Sequence, residues 1–198
     1  MEMEKIGDII EKFRQYGMPV DRGCVSYTFG DRDTCKKMFY DVLKAVDRRI
    51  VEPIPIPEHE EIIDWMTDTK GKGLILVGDC GRGKSSILTG VIPVIFNMKF
   101  KKLIFPMSAT DMVNAKNLYQ DYFYCIDDIG TESVKNHFGE KSEVFATVMD
   151  DAERFFKPVF VSTNLTGQQI IDRYGKRTMD RIVRLCRIVK FKGNSFRK

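Results

Sequence analysis

Eight residues, Gly78-Asp79-Cys80-Gly81-Arg82-Gly83-Lys84-Ser85, constrain what this 198-residue chain can fold into more than any other segment. They match G-x-x-x-x-G-K-[ST]. A short apolar run, Leu74-Ile75-Leu76-Val77, precedes them, and a helical pattern over 84–96 follows. The run reads as a strand buried on both faces. A strand, then this loop, then a helix is the context in which the motif cradles phosphates. Glycines let the backbone turn tightly, so that successive N–H groups converge on an anion. The helix N-terminus adds a favourable dipole. ATP with Mg2+ is the expected ligand. Gly78, Asp79, Cys80, Gly81, Arg82, Gly83, Lys84, Ser85 and Ser86 are expected to bind it, with Lys84 on the β- and γ-phosphates and Ser85 on the metal.

From this unit onward strands and helices alternate. Apolar runs predict strands over 103–105, 122–126, 158–162 and 188–191. Helical patterns cover 109–118, 140–155, 168–174 and 177–185, and Pro93 is expected to kink or end the helix over 84–96. Alternation of this kind predicts an α/β fold with a five-stranded parallel sheet sandwiched by helices. Upstream, Ile6, Ile9, Ile10 and Phe13 make one apolar stripe on a helix over 2–16. A second helix is predicted over 34–49, with Met38, Val42 and Val46 on one side. The prolines at 53, 55 and 57 make an extended connector, and a short helix over 59–67 follows it. The predicted division is a short helical N-terminal region, 1–52, before a nucleotide-binding core, 53–198.

Composition narrows the setting. No apolar run approaches the roughly 18 residues needed to span a bilayer, and the N-terminus lacks the pattern of a signal peptide. A cytoplasmic protein with no membrane partner is expected. The five cysteines form no C-x-x-C pair, which suggests neither a disulfide framework nor a zinc site. Net charge is +4, yet residues 173–198 carry +9, with ten basic residues and one acid. A basic segment on an otherwise acidic body suggests DNA or another phosphate-bearing partner.

Other residues join the loop in carrying chemistry. The strand Tyr122-Phe123-Tyr124-Cys125-Ile126 ends in Asp127 and Asp128. This places carboxylates at the carboxyl edge of the sheet, where such folds bind ligands. Asp127 is expected to hold Mg2+ through water, and Asp128 to orient or deprotonate the attacking water. Asn164, at the end of Val159-Phe160-Val161-Ser162-Thr163, is placed to position the same water. Arg177 and Arg181 lie four residues apart and share a helical face. Either is a candidate to reach a γ-phosphate across a subunit boundary.

The loop, Ile126-Asp127-Asp128-Ile129-Gly130, Ser162-Thr163-Asn164-Leu165, and the ending from Arg181-Ile182-Val183 to Phe191-Lys192-Gly193-Asn194-Ser195-Phe196-Arg197 together resemble an AAA+ ATPase of the DnaC/IstB group. That group comprises helicase loaders and the ATPase partners of transposases. The resemblance covers residues 55–198. It implies that Asn164 is the first sensor, that Arg181 is the arginine finger with Arg177 second, and that Arg197 senses phosphate or faces DNA. The chain departs from the group's pattern in three places. The stretch 108–127 is too short for an extra DNA-gripping helix, nothing after Arg197 supplies a separate lid domain, and only a small helical region precedes the connector. The implied function is ATP hydrolysis in DNA replication with self-association on ATP, as a helicase loader acting on a replicative helicase. A regulator of a transposase is the alternative, with a small-molecule kinase or a slowly hydrolysing binding switch further off.

Overall fold

The computed structural model describes residues 3–18, 23–114, 123–132, 135–137, 140–142, 144–193 and 195–196. At its centre is a parallel sheet of five strands: β1 (Gly73–Gly78), β2 (Ile104–Ser108), β3 (Phe123–Ile129), β6 (Val159–Thr163) and β7 (Cys186–Phe191). They lie in the order β2-β3-β6-β1-β7, every pair parallel. A small antiparallel hairpin, β4 (Lys135–His137) with β5 (Glu140–Ser142), follows β3 in the chain. The helices are α1 (Met3–Gln15), α2 (Arg32–Val46), α3 (Pro57–Thr67), α4 (Ile92–Phe100), α5 (Ala109–Asn114), α6 (Val144–Arg154), α7 (Gly167–Tyr174) and α8 (Lys176–Leu185).

Alternate strand residues point to opposite faces, so the continuous apolar strands feed two helical layers. Leu74, Leu76 and Phe160 join Phe29, Phe39, Trp65 and Phe96 beneath α2, α3 and α4. Ile75, Val159 and Val161 join Phe145, Val148, Ile170 and Ile182 beneath α6, α7 and α8. The first layer is dense in aromatic contacts, such as Phe29 edge-on to Phe96 with centroids 5.1 Å apart. β2 is an edge strand: Ile104 is buried while Phe105 is half exposed. That position tolerates Pro106, which cannot donate to a ladder.

Three expectations change. The helix after the phosphate loop does not end at Pro93. It opens into a π-helical segment, Ser86–Val91, in which the Ile92 N–H donates to the Ile87 carbonyl five residues back, and then continues as α4. The wider turn accommodates the missing N–H and the ring of Pro93 in the first turn of α4. Residues 140–142 are a strand of the hairpin, so the helix expected over 140–155 starts at Val144. β3 runs on to Ile129, past both aspartates. Across residue 52, Cys35, Phe39, Val42 and Leu43 of α2 pack in one cluster with Ile62, Trp65 and Phe96. α1 is different: Ile6, Ile9 and Phe13 are 40–49% exposed. The second half of the helix expected over 109–118, and Tyr122, lie outside the described residues. No described helix is long and apolar enough to cross a membrane.

Candidate active site

The phosphate loop leaves β1 at the carboxyl edge of the sheet. Gly78 has φ +143°, and a Cβ there would lie 2.2 Å from the Phe191 carbonyl oxygen, so neither the conformation nor the space admits a side chain. Gly83 also has positive φ, +86°, with nothing within 4 Å of where its Cβ would be. The Lys84 ammonium is buried at the loop's centre. Its Nζ donates to the Gly78 carbonyl at 2.7 Å, the Asp79 carbonyl at 2.8 Å and Asn164 Oδ1 at 2.9 Å. Burial pulls its pKa down, against the opposing charges of Cys80, Asp128, Asp127 and Asp79. Ser85 Oγ donates to Asp127 Oδ1 at 3.1 Å. A hydroxyl and a carboxylate brought together are hard oxygen donors, the set a magnesium ion takes.

The two aspartates sit in an irregularity of the sheet. Ile126 pairs with Val161 and Ile129 with Thr163, so β3 carries one residue more than β6 across that interval. This is a β-bulge, a device that re-aims a side chain. Asp128 has φ +61°, a left-handed conformation for a non-glycine residue. Ser162 pins the bulge from β6: its Oγ accepts from the Asp128 N–H at 2.8 Å and donates to Asp127 Oδ1 at 2.5 Å. Asn164 Nδ2 donates to Asp128 Oδ1 at 3.0 Å. Asn164 therefore links the Lys84 ammonium to the Asp128 carboxylate. Burial raises the pKa of Asp128, as do Asp127 and Glu132, against the pull of Lys84.

These groups open onto a cavity of about 1110 Å3. One wall is the loop from Cys80 to Ser86 with Asp128, Ser162 and Asn164. The other is largely apolar: Leu43 of α2, then Ile50, Val51, Pro53 and Ile54 of the segment after it, with His59 of α3. Asp47 anchors that segment to the loop. Its carboxylate accepts from Ser86 Oγ at 2.7 Å and from Arg49 Nε and Nη2 at 2.8 and 2.7 Å, and these bonds hold it well below the usual carboxylate range. The hydroxyl of Ser86 is thus engaged by Asp47. Burial drops the His59 pKa to about 4, so the ring is neutral at pH 7.

Other expected residues have partners of their own. Arg82 is among the residues lining the cavity. It lies over the Phe196 ring, 4.3 Å from its centroid, and Nη2 is 3.7 Å from Glu58 Oε1. Cys80 is exposed, with Asn164 Nδ2 3.3 Å from its sulfur. Arg181 is tied to α6. It is 6% exposed, with Nη1 2.6 Å from Asp150 and Nε 2.7 Å from Glu153, both on α6. α6 covers the helical face at Arg181 but leaves Arg177 exposed. Arg197 lies outside the described residues.

No protein-family model matches the sequence, and no curated protein matches it. Solved structures do. The chain superposes on a DnaC helicase loader with TM-score 0.56 at 14% identity, covering 76% of this chain and 98% of that one. DnaI gives 0.54 at 16%, covering 77% and 93%. An AMPPCP-bound DnaA from Aquifex aeolicus gives 0.56 at 15%, covering 72% and 49%. The fold is the one these solved structures share. At these identities the likeness establishes the architecture alone.

Sequence reasoning passed over several polar residues at or behind the cavity. Ser162 was legible only as part of a turn-forming string, although it braces both aspartates. Asp47 lies 39 residues from Ser86 in the chain, with no motif around it. Glu132 is a buried carboxylate under the turn that follows the acidic pair. For Ser162 and Glu132 the available signal is an acid or hydroxyl next to a motif already recognised; for Asp47 there is none.

Proposed function

We propose that the chain binds and hydrolyses ATP as an AAA+ ATPase of DNA replication, acting as a helicase loader with ATP held between copies of itself. The observation that carries this reading is the line Lys84–Asn164–Asp128 along the rim of a cavity sized for a nucleotide, with Ser85 and Asp127 beside it. The fold shared with a DnaC helicase loader and with an AMPPCP-bound DnaA supports it.

In this reading the loop N–H groups and Lys84 hold the β- and γ-phosphates. The apolar wall from Ile50 to Ile54 takes the base. Asp128 orients a water and accepts its proton as the water attacks the γ-phosphorus; the bond to the bridging oxygen breaks, and ADP and phosphate leave. A pKa raised by burial makes Asp128 a better proton acceptor than an ordinary carboxylate. Asn164 holds Asp128 and Lys84 in a fixed relation. Magnesium, held by Ser85 and by Asp127, would neutralise phosphate charge when bound. Arg177 from a neighbouring copy, rather than Arg181, supplies the finger. The basic segment at 173–198 is the face for DNA.

The test is ATP turnover per protein as its concentration rises, with and without single-stranded DNA. Turnover that rises with both supports shared sites and a nucleic-acid-coupled ATPase. Turnover flat in both overturns the assembly and the role of Arg177, and leaves a self-contained site.

A further inference from the structure

Behind the acidic pair lies a group of buried polar side chains that the mechanism above does not use. Glu132 is 4% exposed. Its Oε2 accepts from the Gly130 N–H at 2.7 Å, and its Oε1 accepts from the Tyr174 hydroxyl. Arg173, next to Tyr174 on α7, lies 3.5 Å from Oε1. The Arg173 guanidinium also donates to the Gly130 carbonyl at 2.6 Å and to the Glu132 carbonyl. Two side chains of α7 thus grip the turn that leaves the bulge, and Glu132 is the hub between them.

The turn is held at every polar backbone group that matters. Thr131 Oγ1 donates to the Asp128 carbonyl at 2.8 Å, and Thr163 Oγ1 donates to the Ile129 carbonyl at 2.9 Å. Gly130 has φ +102°, and a Cβ there would lie 2.7 Å from Leu165 Cδ1. The chain is pressed against Leu165 and has no room to relax. A buried carboxylate costs several kcal/mol in desolvation unless it is fully paired. One placed only to satisfy a turn is an expensive choice beside an apolar residue of the same volume. Its position four residues from an acid in the left-handed region gives it a use.

We infer that Glu132 is a positioning residue for Asp128: clamped by Tyr174 and Arg173, it fixes the Gly130 turn and so holds the left-handed backbone that points the Asp128 carboxylate at the cavity. This rests on Asp128 being the acid that handles water. α7 runs through Gly175 into α8, so the clamp also ties the helix carrying Arg177 to the backbone of the acid.

The experiment uses Glu132→Gln and Tyr174→Phe in the full chain. Tyr174→Phe keeps the ring packed on Phe145, 5.1 Å between centroids, and deletes only the hydroxyl. Three quantities are read: ATP affinity, kcat, and hydrogen exchange at the Asp128 and Gly130 amides, whose N–H groups the turn holds. For Glu132→Gln the expected result is a kcat about tenfold lower or more, ATP affinity within twofold of wild type, and faster exchange at both amides. Tyr174→Phe shifts kcat in the same direction by less, and remains informative if the first variant fails to fold. A kcat within twofold of wild type overturns the inference, as does a kcat that falls only with ATP affinity while the two amides exchange unchanged. If the wild-type chain does not hydrolyse ATP, the hydrolytic reading fails. Amide exchange in wild type and variant then still decides whether Glu132 holds the turn.

Discussion

Along one side of β6, Phe160 to Thr163 pair with Leu74 to Val77 of β1 without interruption. Along the other side, the pairing with β3 gains a residue between Ile126 and Ile129. The two seams lie one strand apart, and both end at the same cavity. The regular seam delivers the phosphate loop, whose task is to hold: a lysine satisfied by two carbonyls and an amide, on a helix that starts where the strand stops. The bulged seam delivers Asp127 and Asp128, whose tasks differ from each other. In a regular strand successive side chains face opposite ways. The extra residue lets both carboxylates turn to one edge, Asp127 toward Ser85 and Asp128 toward Asn164. In the function proposed, the ladder kept in register positions groups that bind, and the ladder broken by one residue positions the acid that reacts.

The contrast breaks most sharply by substitution on either seam. Asp128→Asn, on the bulged side, is expected to lower turnover about a thousandfold while ATP affinity stays within a few-fold. Lys84→Ala, on the regular side, is expected to weaken ATP binding about a hundredfold, from loss of charged hydrogen bonds. Equilibrium binding of a fluorescent ATP analogue beside steady-state turnover separates the two. If both variants lose affinity alike, the division of labour between the seams does not exist.

The same contrast is sharpened from outside the sheet by the two arginines of α8. Arg177→Ala is expected to lower assembly-dependent turnover roughly tenfold or more and to leave the melting temperature unchanged. Arg181→Ala leaves Asp150 and Glu153 without their partner. It is expected to cost about 1–2 kcal/mol of stability, less than a fully buried pair would, because both acids are partly exposed. Denaturant unfolding and turnover on both variants check this; the opposite assignment would restore Arg181 as the finger.

The smallest effect is in pH. Asp128 must be ionised to accept a proton, and burial raises its pKa. Turnover should therefore fall as pH drops through a value above the ordinary carboxylate range of about 4, while ATP binding holds. The pH–rate profile measures it. An acid limb at the ordinary range would mean that Asp128 is solvated in the working enzyme.

The regular seam was legible in the sequence and the bulged one only in part. Leu74 to Ser85 announces strand, loop and helix through local composition alone, and the five strands follow from apolar runs that need no partner to be recognised. The acids at 127 and 128 were visible, but the extra residue that they make in the pairing between Ile126 and Ile129 was not. A bulge is a relation between two strands, and the partner's register is written 34 residues away, at Ser162. The burial of Arg181 was hidden for the same reason, since it depends on Asp150 and Glu153 of another helix. The π-helical segment before Pro93 was read as a kink, because proline signals a missing hydrogen bond but not how the chain absorbs it. α1 shows the converse: its apolar stripe was read correctly as a helix, and nothing in its periodicity tells whether the stripe is covered.

The left-handed conformation at residue 128 has a consequence for which acid can stand there. Aspartate and asparagine are among the few non-glycine residues that adopt it readily, because their short side chains bond locally. Glutamate has the longer reach toward a water but shares none of that tolerance. At this position arm length and backbone shape are in conflict, and the shape has prevailed. A chain seeking a longer acid at the same point would first have to rebuild the turn, taking Ser162, Gly130 and Glu132 with it. The chemistry open to this site is thus limited by a single dihedral angle before any side chain is chosen.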